Sequence, residues 1–340
     1  MGKVLTFGEI MLRLAPPDGQ RFLQSPELEA TFGGGEANVA VSLANYGEDV
    51  AFLTALPKND IGQAAINSLR YFGVDTSKIL RQGERVGIYY AEKGQSQRPS
   101  KVIYDRKYSA VSMTKKEDFD WDSIFEGVDW FHFTGITPAL APQMREICLE
   151  ACKAAKEKGI IISCDLNYRK KLWTTEEAYE TMTKLVSYVD VCIANEEDAE
   201  KVLGISAKDT DVDSGKLSYE GYKAVAKSIS EKYGCEKVAI TLRTSISAND
   251  NKWAAMLYSG GKYYFSKTYD VRIWDRVGGG DSFGGGLIYA VRHAMEPQDA
   301  IEFAVAASCL KHSIQGDFNR VSLDEVNALV KGGGSGRVQR

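Results

Sequence analysis

Hydrophobic and polar positions alternate along the chain in two distinct rhythms. Val4-Leu5-Thr6-Phe7 reads as a short buried strand, residues 42–47 as helical and residues 51–56 as extended. Residues 61–73 carry apolar side chains at three- and four-residue spacing, the mark of an amphipathic helix. The rhythm returns as predicted helices over 142–158, 176–188 and 219–233, which alternate with predicted strands over 160–165, 191–194 and 237–242. Strands separated by helices imply right-handed crossovers and a parallel sheet, so the pattern predicts an α/β fold. Gly73, Gly159 and Gly234 stand where helices would end, ready to cap them.

Two stretches, 13–31 and 85–112, break this rhythm. In the second, Val86-Gly-Ile-Tyr-Tyr-Ala91 and Lys101-Val-Ile-Tyr-Asp105 read as paired strands around the polar turn 93–99. Together the two stretches predict a small β appendage lying over the C-terminal edge of the sheet, where open α/β folds bind ligands. Its strand edges are free to pair with a second subunit. The Gly-Gly-Gly-Ser-Gly run at 332–336 reads as a flexible tail.

At 340 residues the chain can bury one large core with an appendage, and 44% hydrophobic with 26% charged residues excludes disorder. The net charge of -4 comes from interspersed charges, with no basic face for nucleic acid or anionic lipid. Any phosphate must therefore be bound locally. The longest apolar runs, such as Lys158-Gly-Ile-Ile-Ile-Ser-Cys164, fall far short of the ~20 residues that span a bilayer, and no leader precedes Val4, so a cytoplasmic protein is expected. Six scattered cysteines without a CxxC pair read as small buried hydrophobes, and three widely spaced histidines exclude the usual transition-metal motifs.

Asp275-Arg-Val-Gly-Gly-Gly-Asp281-Ser-Phe is a glycine-rich turn leading into a helical run. Gly278, Gly279 and Gly280 would let backbone N–H groups and the helix dipole face an anion whose charge grows as a phosphoryl group leaves. Asp281 at that helix start could accept a proton from a substrate hydroxyl. Equally, Asp281 could cap the helix while the glycines only allow a tight turn. Neither a Walker GxxxxGK[ST] nor a GxGxxG after the first strand is present, so phosphate would be held another way.

Asp275 to Asp281 resembles the D-T-x-G-A-G-D signature of ribokinase-like (PfkB-type) sugar kinases, with Arg276 for Thr and Gly279 for Ala. Phe32-Gly33-Gly34-Gly35-Glu36-Ala37-Asn38 looks like that family's glycine-rich sugar-binding segment. Asn195-Glu-Glu-Asp198 looks like its N-x-x-E motif, with Asp in place of Glu. Within the family the resemblance is closest to 2-keto-3-deoxygluconate kinases, on Thr6-Phe-Gly-Glu-Ile-Met-Leu-Arg-Leu14, Gln97-Arg-Pro-Ser-Lys101, Tyr104-Asp-Arg106 and Asp165-Leu-Asn-Tyr-Arg169. The resemblance implies one ribokinase-like domain over 1–331, a parallel sheet between two helical layers (α/β/α) with a small β-sheet lid. It also implies an ATP- and Mg2+-dependent kinase of a small sugar acid, assembled as a homodimer or higher homo-oligomer through the lid.

By the same resemblance Gly34, Asn38, Tyr89, Tyr104, Arg106, Arg169, Asp275 and Asp317 hold the sugar. Asn167, Asn195, Thr241, Arg243, Gly278, Gly280 and Ser308 hold ATP, and Asp198 organises magnesium largely through water. An arginine fork returns two charge-assisted hydrogen bonds to a carboxylate, which a neutral sugar cannot. Each position also has a structural reading: Tyr89 and Tyr104 as half-buried strand aromatics, Arg106 as a surface ion pair, Asp317 as a turn former, Asp198 as an exposed helix-start acid. A fructokinase or ribokinase shares every general motif, and a non-catalytic sugar sensor is compatible with the scaffold.

Overall fold

The computed structural model describes residues 1–206 and 219–334. A nine-stranded sheet carries the expected parallel core: Val191–Ala194, Ile161–Asp165, Val128–Thr134, Lys3–Phe7 and Val50–Leu53 lie side by side in that order, all parallel. Successive side chains on a strand point to opposite faces, and here both faces are covered. Val4, Trp130, Ile193 and Ala239 enter one core, while Leu5, Phe131, Cys192 and Ile240 enter the other. This makes three layers, helices on both sides of the sheet.

The sequence pattern missed several elements for physical reasons. Beyond Lys237–Ser245 the sheet turns antiparallel through Asp250–Ser259, which pairs with both Lys262–Phe265 and Tyr269–Arg272. Hairpin strands need no intervening helix, so the βα rhythm gave no sign of them. The helix read over 42–47 runs from Gly35 to Asn45, with residues 36–43 all buried. A helix covered on every side shows no amphipathic period, and its glycine-rich start hides its beginning. Pro297–Lys311, buried along most of its length, likewise shows no amphipathic period.

The appendage is a separate four-stranded sheet in the order Glu29–Gly33, Met11–Ala15, Gly87–Glu92, Lys101–Asp105. Met11, Ala15, Tyr89 and Ala91 form its small apolar core. Arg13 shares their face, and its guanidinium reaches off the lid to bond Asp317 Oδ1 at 2.8 Å and Asp275 Oδ2 at 2.7 Å. All three side chains are at most 3% exposed. The tail expected at 332–340 falls mostly outside the described residues, which end at 334. Among the described residues, no helix is long and apolar enough to cross a membrane.

Breaking a buried ion pair by removing one partner typically costs about 3–5 kcal/mol, because the remaining charge is stranded. Arg13→Met should therefore loosen the lid first, raising hydrogen exchange in Met11–Ala15 and Gly87–Glu92 while the parallel core stays protected. Unchanged lid exchange would show that the Arg13 fork does not hold it.

Candidate active site

The glycine-rich turn ends in the helix Gly279–Arg292, whose N-cap Gly278 has φ 84. A Cβ at Gly278 would sit 2.1 Å from the Asp317 carbonyl oxygen, so both backbone shape and space require glycine. Behind the turn, Ser308 donates its hydroxyl to the Gly279 carbonyl at 2.6 Å. The Gly279 amide turns inward to Arg276 O at 3.3 Å, whereas the Gly280 and Asp281 amides meet no protein acceptor among the described residues. A Cβ at Gly280 would meet nothing within 4 Å, so the backbone there faces open space. The amides of the turn left available to an anion are thus those of Gly280 and Asp281, while that of Gly279 is used within the turn.

Asp281 occupies the first turn of that helix, not its cap. Asn38, from the helix Gly35–Asn45, donates to Asp281 Oδ2 at 2.7 Å and accepts the Gly34 amide at 3.3 Å. Gly34 lies close enough to Glu9 O that a Cβ would come within 1.9 Å of it. Burial at the floor of the cleft pushes the Asp281 carboxyl up to about 6, against the pull of Asn38 and Arg169. A carboxyl so placed is ionised at neutral pH yet basic enough to take a proton.

Asp281 opens into a cavity of about 270 Å³ that Gly34, Asn38, Tyr89, Tyr104, Arg106, Arg169 and Asp317 also line. The lid supplies Tyr89 and Tyr104, and Arg106 follows its last strand. Tyr89 donates to Asp317 at 2.6 Å, and Arg106 lies over the Tyr104 ring. Arg106 is buried and gives Nε to Glu9 Oε2 at 2.7 Å, with a second N–H from Nη2 to the same oxygen. Three of its five N–H groups remain, so it can still meet an anion, but as half of a neutral pair. Asp275, expected here, does not line the cavity. Its carboxylate is taken up by Arg13 and by the amides of Val277 and Gly316.

A second cleft of about 340 Å³ is lined by Asn167, Asn195, Asp198, Thr241, Arg243 and, unanticipated as site residues, Asp165 and Trp253. Ser308 is absent from it, being buried behind the turn. Its neighbour on the next turn, His312, reaches the cleft and packs on Trp253 with ring centroids 5.2 Å apart. Arg276 Nε is buried without a partner among the described residues, and nearby Arg243 adds to the burial that lowers the Arg276 pKa. Cations held against their own repulsion fit a polyphosphate. Magnesium takes oxygen donors and keeps several waters. Asp165, Asp198 and the buried Asn167 Oδ1, which has no partner among the described residues, supply that donor type. Asp198 is 6% exposed, not the exposed helix-start acid of the structural reading. The two cavities share Asn167, Arg169, Arg276 and Gly280.

Glu36, also in the lining of the 270 Å³ cavity, accepts from Thr134 N at 3.0 Å, Thr134 Oγ1 at 2.8 Å and Thr137 Oγ1 at 2.5 Å. Burial nevertheless raises its carboxyl from 4.5 to about 7. The folded chain then holds a proton that the unfolded chain has released, so stability falls as pH climbs from about 4.5 through 7. Glu36→Gln should remove that slope and exceed the parent by about 1–3 kcal/mol above pH 7. Urea unfolding at pH 5.5 and 8 checks this, and parallel behaviour of the two proteins would overturn it.

The profile of the pfkB family carbohydrate kinases matches residues 1–319. The chain is 32% identical to the 2-dehydro-3-deoxygalactonokinase of Haloferax volcanii over 334 residues, covering 98% of each protein. It is 26% identical to the 2-dehydro-3-deoxygluconokinase of Thermoproteus tenax, over 93% of this chain and 90% of that one. The crystal structure of 2-dehydro-3-deoxygluconokinase from Thermotoga maritima superposes with a TM-score of 0.94 at 52% identity, covering 98% of this chain and 100% of the other. With the glycine turn, the lid and the paired cavities in place, the chain belongs to the pfkB family of carbohydrate kinases.

Proposed function

We propose that the chain transfers the γ-phosphoryl group of MgATP to the primary hydroxyl of 2-keto-3-deoxygluconate, giving the 6-phosphate, with Asp281 as general base. The carrying observation is the wall shared by the two cavities: Gly280, Arg169, Asn167 and Arg276 face both, and Asp281 stands on the sugar side. The hydroxyl oxygen attacks phosphorus, its proton passes to Asp281, and the bond from phosphorus to the bridging oxygen of ADP breaks. The Gly280 and Asp281 amides, with Arg169, receive the charge that grows on the transferring group. Bound magnesium would add neutralisation of the phosphate oxygens, held by water-mediated contact with Asp165, Asp198 and Asn167.

Arg106 and Arg169 support a sugar acid, since both line the cavity and at least one retains free donors after its internal bonds. The same acid with inverted C4 is a second reading, favoured by the name of the 32% identical relative. The outer lid strand, Lys101–Asp105, is bonded on one side only and exposes Ile103 and Tyr104, which supports pairing of two copies there. Cysteines free of disulfides suit the reducing cytoplasm in which we set the reaction.

Coupled ADP-release assays with both C4 epimers, fructose and ribose test the assignment, and preference for a neutral sugar would overturn the acid reading. Asp281→Asn should lower kcat by about 10²–10⁴-fold with little change in KM, and near-normal turnover would remove the base assignment. In the parent, the rate should fall on the acid side with a midpoint near pH 6, because the base works only when ionised. Arg106→Ala should raise KM for the acid by about 10–100-fold and affect fructose or ribose far less.

A further inference from the structure

The helix Pro297–Lys311 ends directly beneath the glycine turn, and two of its residues, with its C-cap His312, meet the underside of that turn. Ser308 bonds Gly279 O at 2.6 Å, and a Cβ on Gly279 would come within 2.8 Å of His312 Nε2. The third is Lys311, with no exposed surface, whose Cε would lie 3.2 Å from a Cβ on Gly278. Its ammonium donates to Ile314 O at 3.2 Å and, among the described residues, has no carboxylate within ion-pair distance. A buried lysine is rare without a reason.

Charge balance supplies one. Asp275 and Asp317 are buried together, and the Arg13 fork that joins them neutralises only one of the two. Lys311 is the second buried basic group: burial lowers its pKa, Asp275, Asp317 and Asp281 oppose that fall, and its ammonium sits off their oxygens. Its charge is therefore not spent in a direct pair. It stands in low dielectric beside Gly278, at the foot of the turn, where positive charge acts strongly on charge that develops during reaction.

We propose that Lys311 is a positioning residue that holds its ammonium against the underside of the glycine turn, making the turn a stronger acceptor of the transferring phosphoryl group. This rests on the kinase reading above and assigns no contact with substrate to Lys311. Being fixed by folding, the charge acts alike on every sugar the cavity accepts and moves kcat with little effect on ground-state binding.

Lys311→Met should lower kcat by about 10–100-fold with KM for sugar acid and ATP within about threefold. Lys311→Arg, which keeps the charge, should recover part of the loss. Lys311→Ala should regain activity saturably with ethylammonium, an effect that simple loss of packing would not give. A readout independent of the sugar is the thermal shift caused by MgADP with aluminium fluoride, a mimic of the transferring group. The parent should gain stability from the fluoride beyond that from MgADP, and Lys311→Met should not. If Lys311→Met matches the parent in kcat and in the fluoride shift, the Lys311 proposal falls and the kinase reading stands. If the parent turns over none of the sugars yet only Lys311→Met loses the fluoride shift, the substrate assignment falls and the role of Lys311 stands.

Discussion

The geometry of this enzyme hangs on the Arg13 fork. One guanidinium on a lid strand bridges Asp275, 262 residues on, and Asp317, 304 residues on, and every partner is out of water. Two carboxylates cannot be buried together at acceptable cost without a cation between them. Removing any partner strands charge, which fixes the lid against the start of the glycine turn and against the loop that bears Asp317. Tyr89 fastens a second lid strand to the same Asp317. The sugar-side cavity is the space left under this clasp, and its shape follows from it.

Polar groups in this site work in neutral sets instead of as isolated charges. Glu9 balances Arg106, Arg13 joins two aspartates, and Asn38 steadies Asp281 without adding charge. Asp281 is left as the carboxylate with a poised proton affinity at the junction of the two cavities. Selectivity for an acid then rests on Arg169 and on the donors that Arg106 retains after serving Glu9. That is a narrower basis than two free arginines would give.

Much of this was legible in the chain because local physics and tertiary structure agree there. The parallel strands are short apolar runs between amphipathic helices, and the lid strands interrupt that rhythm visibly. Gly34, Asn38, Tyr89, Tyr104, Arg106, Arg169 and Asp317 come together around one cavity from segments far apart in sequence. The exceptions share a cause: their roles depend on what lies behind them. Ser308 and Asp275 carry suitable polar atoms but turn them toward backbone and Arg13. Arg13 itself did leave a trace, since Met11, Arg13 and Ala15 share a parity on one strand, and an arginine among apolar inward positions implies a buried partner. Asp165 ends the strand Ile161–Asp165, and only the assembled cleft shows that Asp198 and Asp281 crowd it.

The long reach of the Arg13 fork also sets an order of events during synthesis. The lid strands and the first parallel strands emerge early, but the clasp that shapes the cavity needs Asp317, near the end of the chain. Contacts of such separation form late and slowly, after the sheet that positions them. A partly made chain can hold strands of the parallel core yet has no closed sugar cavity beside its glycine turn. A truncation that spares Asp281 but removes Asp317 therefore loses the clasp.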